Sequence, residues 1–134
     1  MERLNISSGR PWEAIAGYSR AVRHGDLFET SPTSPAAPDG SILHPDDVYL
    51  QTRAALKIIG ESLEQAKLCF SDVIKTHIYM RDISRWEDAA RAHCEVFSEI
   101  RPALGFINVS GFFDPLIEVE VEVTAMASTS QGSL

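Results

Sequence analysis

The sequence predicts an α/β fold in which two helices cover one face of a mixed β-sheet, in the chain order β-β-β-α-β-α-β-β. Two patterns lead to this prediction. Residues 47–67 carry apolar side chains at three- and four-residue steps, which indicates a helix with one apolar face. The segment from Leu116 to Ala127 alternates between apolar and polar residues, as a strand with one buried face does. Such alternation of strands and helices is typical of layered folds with right-handed crossovers.

Length and composition predict a single domain, 1–127, followed by a flexible tail, 128–134. A chain of 134 residues is long enough for one sizeable core and too short for two ordinary domains. The chain is 44 % hydrophobic and 23 % charged, which is typical of an ordered fold. Its net charge is −7 and its basic residues do not cluster, so nucleic acid is not an expected partner. Arg20, Arg23 and His24 are interpreted as a solvated strand face.

The cysteines and the apolar runs predict a cytoplasmic protein without a membrane partner. Cys69 and Cys94 have no metal-ligand spacing, so we expect free thiols in a reducing compartment and no bound metal. The chain does not begin with a basic stretch and an apolar core of the kind found in signal peptides. No apolar run approaches the roughly 20 residues that a membrane span needs.

In the first half of the chain we predict a strand at 3–7 and then a hairpin. Tyr18–Arg23 and Leu27–Ser31 are strand-like, and the glycine of His24-Gly25-Asp26 suits the turn between them. The segment from Pro32 to Pro45 contains four prolines and is predicted to be a surface loop. Asp46 or Asp47 then caps the long helix, whose apolar stripe is formed by Val48, Ala55, Ile58, Ile59, Leu63 and Ala66.

In the second half we predict three more strands and one helix. Val73–Arg81 is a strand rich in β-branched residues, with one face made by Ile74, Thr76, Ile78 and Met80. Ser84 begins a helix and forms a capping box with Glu87, and the packing stripe of that helix is Trp86, Ala89, Ala90, His93 and Phe97. The last two strands are Ala103–Val109 and Leu116–Ala127.

The final strand carries a row of acidic residues on one face. Glu118, Glu120 and Glu122 alternate with buried-type residues and are followed on their face by Thr124. Neighbours on one strand face lie about 7 Å apart, so three carboxylates repel one another unless water or a partner relieves them. The row is therefore either a solvated face or the wall of a cleft.

Five segments at consistent positions resemble one protein family. They are G-Y-S-R-A-V-R-H-G-D at 17–26, Q-T-R-A-A-L at 51–56, D-V-I-K-T-H-I-Y-M-R-D at 72–82, R-P-A at 101–103 and V-E-V-E at 119–122. On these segments the chain resembles the Rid family, the reactive-intermediate deaminases also called YjgF/YER057c/UK114 proteins. The resemblance covers about residues 3–127. It implies a chorismate-mutase-like fold and a homotrimer with clefts at the subunit interfaces, which would cover the glutamate-bearing face.

The resemblance also implies an activity and a set of site residues. Rid deaminases hydrolyse reactive imines or enamines with water, and release ammonia and a keto acid without a metal or cofactor. Glu120 matches the glutamate that orients the water. The substrate-binding positions are matched by Tyr18, Ser31, Thr33, Leu104 and Phe106.

Two positions depart from the family pattern. The deaminating branch reads P-A-R-S where this chain has Pro102-Ala103-Leu104-Gly105, so the arginine that grips a substrate carboxylate is absent. Such a charge-assisted contact is commonly worth about 1.5–3 kcal/mol, and a 2-imino acid is therefore expected to bind poorly. Pro32 stands where the family has a glycine, and proline has no backbone N–H to offer a ligand.

Other residues with reactive side chains are not expected to take over the chemistry. Arg101 would lie on the opposite face from Leu104 if the segment between them were extended. His93 and Glu95 are two residues apart on a helix and point about 200° away from each other. His93 is for the same geometric reason no partner for Cys94, and we interpret it and His77 as packed or partly exposed residues.

Three functions remain open on the sequence. The first is a Rid-like hydrolase or deaminase that acts on a reactive imine, an enamine or a related unsaturated metabolite. The second is a non-catalytic trimer that binds a small apolar metabolite in the same clefts, which the absence of the arginine favours. The third is a chaperone-like surface role, for which the acidic charge is the only indication.

Overall fold

The computed structural model describes residues 2–128 and contains one six-stranded sheet and three α-helices. Of the predicted tail, only Ser128 lies within the described range, and 129–134 lie outside it. The elements in chain order are β1 (Arg3–Ile6), α1 (Pro11–Ala16), β2 (Ala21–His24), β3 (Leu27–Thr30), α2 (Val48–Gln65), β4 (Val73–Met80), α3 (Trp86–Phe97), β5 (Ala103–Asn108) and β6 (Val119–Met126).

The sheet is mixed, and its strand order is β1-β2-β3-β6-β4-β5. β4 and β5 run parallel, whereas each other neighbouring pair is antiparallel. The predicted α/β fold and its order of strands are confirmed. α1 adds a helix to the two that the periodicity predicts. It begins with Pro11, which suits a first helical position, and ends at Gly17, whose φ of 76° favours glycine.

The core lies between the sheet and the helices α2 and α3. β6 contributes four fully buried apolar side chains, Val119, Val121, Val123 and Ala125. The whole predicted stripe of α2 is buried as well, and its helix begins at the cap Asp47, whose carboxylate accepts a hydrogen bond from the Leu50 N–H. Within residues 2–128, neither α2 nor α3 covers the other face of the sheet, and this uncovered face carries Glu120 and Glu122 of β6.

Gln51 fixes the place where α2 meets the start of β6. Its Nε2 donates to the carbonyl oxygens of Leu43 and Leu116, and its Oε1 accepts from the Glu118 N–H at 2.8 Å. The side chain is fully buried, and these three hydrogen bonds give its polar atoms their partners. The contact holds β6 in the register that the acidic row follows.

The predicted buried face of β4 is wrong at one position. Thr76, Ile78 and Met80 are buried, but Ile74 is 52 % exposed and Val73 is buried in its place. The pairing of β4 with β6 shifts between Val73 and Lys75, which is a β-bulge. A bulge adds one residue to one strand, so side chains before it point to the opposite face from a regular alternation.

The start of α3 also differs from the prediction. Ser84 does not form a capping box with Glu87, because its hydroxyl and its N–H both bond the Asp82 carboxylate, at 2.6 and 3.1 Å. A 3-10 turn at Ile83–Arg85 follows, and the α-helix begins at Trp86. Trp86 itself is half exposed rather than part of the buried stripe.

Within residues 2–128, none of the helices combines the length and the apolar character that crossing a membrane requires.

The bulge predicts unequal costs for truncating the two residues that flank it. Val73→Ala should lower the free energy of unfolding by about 2 kcal/mol because it leaves a cavity in the core, whereas Ile74→Ala should change it by less than about 0.5 kcal/mol. Urea denaturation of the two variants measures both values. A larger loss for Ile74→Ala than for Val73→Ala would mean that the strand alternates regularly.

Candidate functional site

Glu120 lies on the uncovered face of the sheet, near the start of β6. The Ser34 hydroxyl donates to its Oε2 at 2.6 Å, and the side chain is half-buried. Burial raises the pKa of Glu120 above its ordinary value, although the Ser34 hydrogen bond and the charge of Arg20 act in the opposite direction. Within residues 2–128, no protein donor bonds its other oxygen, Oε1.

Arg20 is the cation beside this carboxylate, and its side chain is almost fully buried. Its Nη1 donates to the Pro32 carbonyl oxygen at 3.0 Å and to Thr33 Oγ1 at 3.2 Å, and its Nη2 donates to the Tyr18 hydroxyl oxygen at 3.1 Å. The interpretation of Arg20 as part of a solvated strand face is therefore wrong. A buried guanidinium needs this many acceptors because its desolvation is costly.

Glu13 of α1 supplies the countercharge for Arg20. Its Oε2 lies 3.6 Å from Arg20 Nε, and both side chains are buried. Ser7 and Ser8 donate their hydroxyls to the same carboxylate, and the Ser8 N–H donates as well. Burial raises the pKa of Glu13, but these hydrogen bonds and the Arg20 charge outweigh it and hold the pKa below its ordinary value.

The predicted residues on this side of the sheet lie close together around Arg20. Tyr18 and Thr33 both bond its guanidinium, and Thr33 in turn donates its hydroxyl to the Ser31 carbonyl oxygen. The Ser31 hydroxyl donates to the Ser19 carbonyl oxygen, which joins the end of β3 to the segment before β2. Tyr18, Ser31, Thr33 and Glu120 are thus parts of one cluster, and their contact with a substrate stays a prediction.

The other two glutamates of the row have partners of their own. Glu118 is buried and pairs with Arg81 and Arg85. Glu122 lies 3.3 Å from His77 Nδ1 and also bonds Tyr79. Burial together with Glu122 and Glu120 raises the pKa of Tyr79 to about 12. Repulsion along the row is therefore relieved separately at each carboxylate.

The comparison with known families decides the identity of this fold. A family model described as Endoribonuclease L-PSP matches residues 8–127. The chain belongs to this family, which is the Rid (YjgF/YER057c/UK114) family. The family predicted from the sequence segments is confirmed.

Individual Rid relatives agree in both sequence and fold. An uncharacterized protein of Streptomyces coelicolor is 34 % identical over 90 % of this chain and 89 % of its own. The crystal structure of Rv2704 from Mycobacterium tuberculosis, described as a member of the YjgF/YER057c/UK114 family, has a TM-score of 0.85 at 37 % identity, over 94 % of this chain and all of its own. The 3-aminoacrylate deaminase RutC of Acinetobacter baylyi is 28 % identical, over 92 % of this chain and 97 % of its own.

In this Rid-family chain, Leu104 and Phe106 lie apart from the Glu120 cluster. Leu104 is paired with Thr76 and Phe106 with Ile78, and both of these β4 residues face the helices. Phe106 packs edge-on against Trp86 at 5.8 Å between ring centroids. Within one chain the two predicted residues are therefore on the opposite face of the sheet from Glu120.

Leu104 instead lines a cavity of about 260 Å³ between α3 and β5. Arg101 lines the same cavity, so it does not lie on the opposite side from Leu104 as an extended segment would place it. Its φ of 58° is left-handed, and the segment from 101 to 104 is therefore not extended throughout. His93 lies at the cavity wall with its Nε2 2.8 Å from Thr76 Oγ1, and burial lowers its pKa. Cys94 is exposed and unpaired, as predicted for a free thiol.

Three residues of the cluster were not selected by the sequence patterns. Arg20 lies two residues after Tyr18 in a strand-like run, and this spacing places both on one side, so a signal for it was present. Ser34 lies in the proline-rich loop, where no periodicity assigns a face. Glu13 lies in a helix of six residues, which is too short for a periodic pattern.

The Ser34 contact predicts the direction of a pKa change at Glu120. Ser34→Ala removes a donor that favours the charged carboxylate, so the pKa of Glu120 should rise further above its ordinary value. A ¹³C NMR titration of the glutamate side chains measures it. Ser41→Ala, which removes a hydroxyl bonded to the distant Asp39, is the matched control and should leave Glu120 unchanged. A pKa that stays constant or falls in Ser34→Ala would contradict the assignment.

Proposed function

We propose that this Rid-family protein is a deaminase that hydrolyses a reactive imine or enamine, with Glu120 holding the attacking water. The observation that carries this proposal is the state of the Glu120 carboxylate. Ser34 bonds one of its oxygens, and within residues 2–128 the other has no protein donor and is free to accept a hydrogen bond from water. Its raised pKa makes it a better proton acceptor than an ordinary glutamate.

The chemistry requires one base and one water molecule. Glu120 accepts a proton from water as the oxygen bonds to the imine carbon, and the C=N electron pair moves to nitrogen. The nitrogen takes up two protons, the one that Glu120 accepted from water and the one of the newly formed hydroxyl group, and ammonia leaves as the C=O bond forms. An enamine reaches the same path after protonation at carbon gives the imine. The sum is imine plus water to carbonyl compound plus ammonia, and the proposed reaction uses no metal or cofactor.

The relatives support this reaction class. The Acinetobacter relative is named a 3-aminoacrylate deaminase, and its substrate is an enamine with a carboxylate. The family model is described as an endoribonuclease, but the net charge of −7 disfavours binding to a phosphate backbone. We therefore propose a small-molecule metabolite as substrate rather than RNA.

We further propose that the cleft is completed between copies of the chain in a homotrimer. Leu104 and Phe106 lie on the opposite face from Glu120, so a neighbouring chain is needed to bring them to the cluster. The edge strand β5 supports this arrangement because none of its six residues is buried, although three are large and apolar, Leu104, Phe106 and Ile107. A strand edge exposed in this way is a surface that a partner covers.

A non-catalytic metabolite-binding trimer is the second candidate function. The observation that favours it is the cavity beside Leu104, in which Ala90, Phe97, Pro102 and Leu104 form an apolar half and His93, Cys94, Ser98 and Arg101 form the rest, so it suits a ligand with an apolar part. Trp86 contacts Phe106, so its fluorescence reports on this region. A ligand that quenches Trp86 saturably without release of ammonia would favour binding over catalysis.

The proposed role of Glu120 predicts a large and local loss of activity. Glu120→Gln keeps the shape of the side chain but removes the base, so the rate of ammonia release from freshly generated 3-aminoacrylate, an enamine that is not a 2-imino acid, should fall by about 10²–10⁴. Glu122→Gln is the matched control because Glu122 lies on the same face and bonds His77 and Tyr79, and its rate should change by less than about 10-fold. Equal losses in both variants, or a wild type no faster than buffer, would overturn the proposal.

A further inference from the structure

We propose that Arg20 is a positioning residue that turns the Tyr18 hydroxyl into a hydrogen-bond donor aimed at the substrate. This proposal rests on the proposed function, in which Glu120 is the acceptor of the same cleft. The Tyr18 hydroxyl is then the hydrogen-bond donor of the cleft, and the ion pair of Glu13 with Arg20 holds it in one orientation.

The other hydroxyl groups around Glu120 already donate their protons to acceptors of the protein. Ser31 donates its proton to the Ser19 carbonyl oxygen, and Thr33 donates to the Ser31 carbonyl oxygen. Ser34 donates to Glu120. Tyr18 is the one hydroxyl of this cluster whose proton has no acceptor within residues 2–128, and its side chain is 37 % exposed. It is therefore the donor that a bound molecule can use.

Arg20 sets the direction in which the Tyr18 hydroxyl points. A guanidinium group donates hydrogen bonds and cannot accept them, so at 3.1 Å the Tyr18 oxygen must offer a lone pair to Nη2. The O–H bond of the phenol then points away from Arg20. A tyrosine without this neighbour could offer either a lone pair or its proton to the substrate, and Arg20 favours the second because it already occupies a lone pair and turns the O–H away from itself.

Arg20 is itself held in one position by its other contacts. Two of its N–H groups are used on Pro32 and Thr33, and Nε faces the Glu13 carboxylate at 3.6 Å. Glu13 is itself held by Ser7 and Ser8, and both members of the pair are buried. A buried pair with its remaining polar atoms satisfied is rigid, so the orientation of Tyr18 is set before the substrate binds.

The consequence for the reaction is a donor and an acceptor fixed in one cluster. Tyr18 donates a hydrogen bond to the imine nitrogen while Glu120 accepts the proton of the attacking water. The hydrogen bond from Tyr18 draws electron density from the C=N bond and favours attack at carbon, and it requires no proton transfer from the phenol.

A double-mutant cycle tests this coupling. The variants Tyr18→Phe, Arg20→Gln and the double variant are compared by kcat and KM for ammonia release from 3-aminoacrylate, after circular dichroism confirms that each is folded. Each single change should lower kcat by about 10- to 100-fold, and the double variant should lose no more than Tyr18→Phe alone. Arg20→Lys, which keeps the charge and a donor, should recover part of the Arg20→Gln loss.

Arg23→Gln is the matched control for a merely structural effect. Arg23 is a half-buried arginine on the same hairpin, and it donates to the carbonyl oxygens of Gly25 and Ala66 rather than to Tyr18. Its loss, if any, should multiply with that of Tyr18→Phe. Losses that multiply for Arg20→Gln in the same way would overturn the proposal.

An NMR comparison keeps the proposal testable apart from catalysis. The ¹⁵N–¹H signals of the Arg20 guanidinium should exchange slowly in the wild type and shift in Tyr18→Phe, and Arg20 signals that exchange rapidly or do not respond to Tyr18→Phe would overturn the proposal. A wild type that releases no ammonia would overturn the proposed function instead, and the NMR comparison would then decide alone whether Arg20 orients Tyr18.

Discussion

The alternation of side chains along β6 is the constraint on which the core and the candidate site both depend. β6 lies inside the sheet between β3 and β4, so its register is fixed on both sides. A slip by one residue would move its valines out of the core and its glutamates into it, at a prohibitive cost. Burial of Val119 and Val121 therefore forces Glu120, which lies between them, onto the other face. The register of β6 therefore determines both the packing of the core and the position of the proposed base.

Burial of a positive charge is the second constraint, and it explains the surroundings of Glu120. A guanidinium removed from water needs an opposite charge and several acceptors, and Arg20 finds them in Glu13, Pro32, Thr33 and Tyr18. The short helix α1 has a clear role in this arrangement, because it carries Glu13 to the pair. The charge of Arg20 also partly opposes the rise in the pKa of Glu120 that burial causes, which is compatible with the proposed role of this carboxylate as a base.

The regular helices and strands were predictable because each one follows from the pattern of its own residues. The apolar stripe of α2 and the alternation of β6 each follow from the period of one segment. The five segments that resemble the Rid family occur in a consistent order along the chain. The bulge at Val73 was not predictable, because it depends on pairing with a strand about 50 residues later. The burial of Arg20 depends likewise on Glu13 in a helix without periodicity. The cavity shared by Arg101 and Leu104 follows from a left-handed residue that is not a glycine, which sequence patterns do not indicate.

We propose that the Glu120 cluster of one chain works with the Leu104 side of another. Subunit complementation tests it most directly, by co-expressing Glu120→Gln chains with Leu104→Asp chains, each inactive alone in releasing ammonia from 3-aminoacrylate. Mixed trimers should regain about a quarter of the wild-type rate, because random pairing places an intact Glu120 cluster opposite an intact Leu104 side in that share of the clefts. Mixed trimers that stay as inactive as both parents would contradict the claim, since each cleft would then be built within one chain.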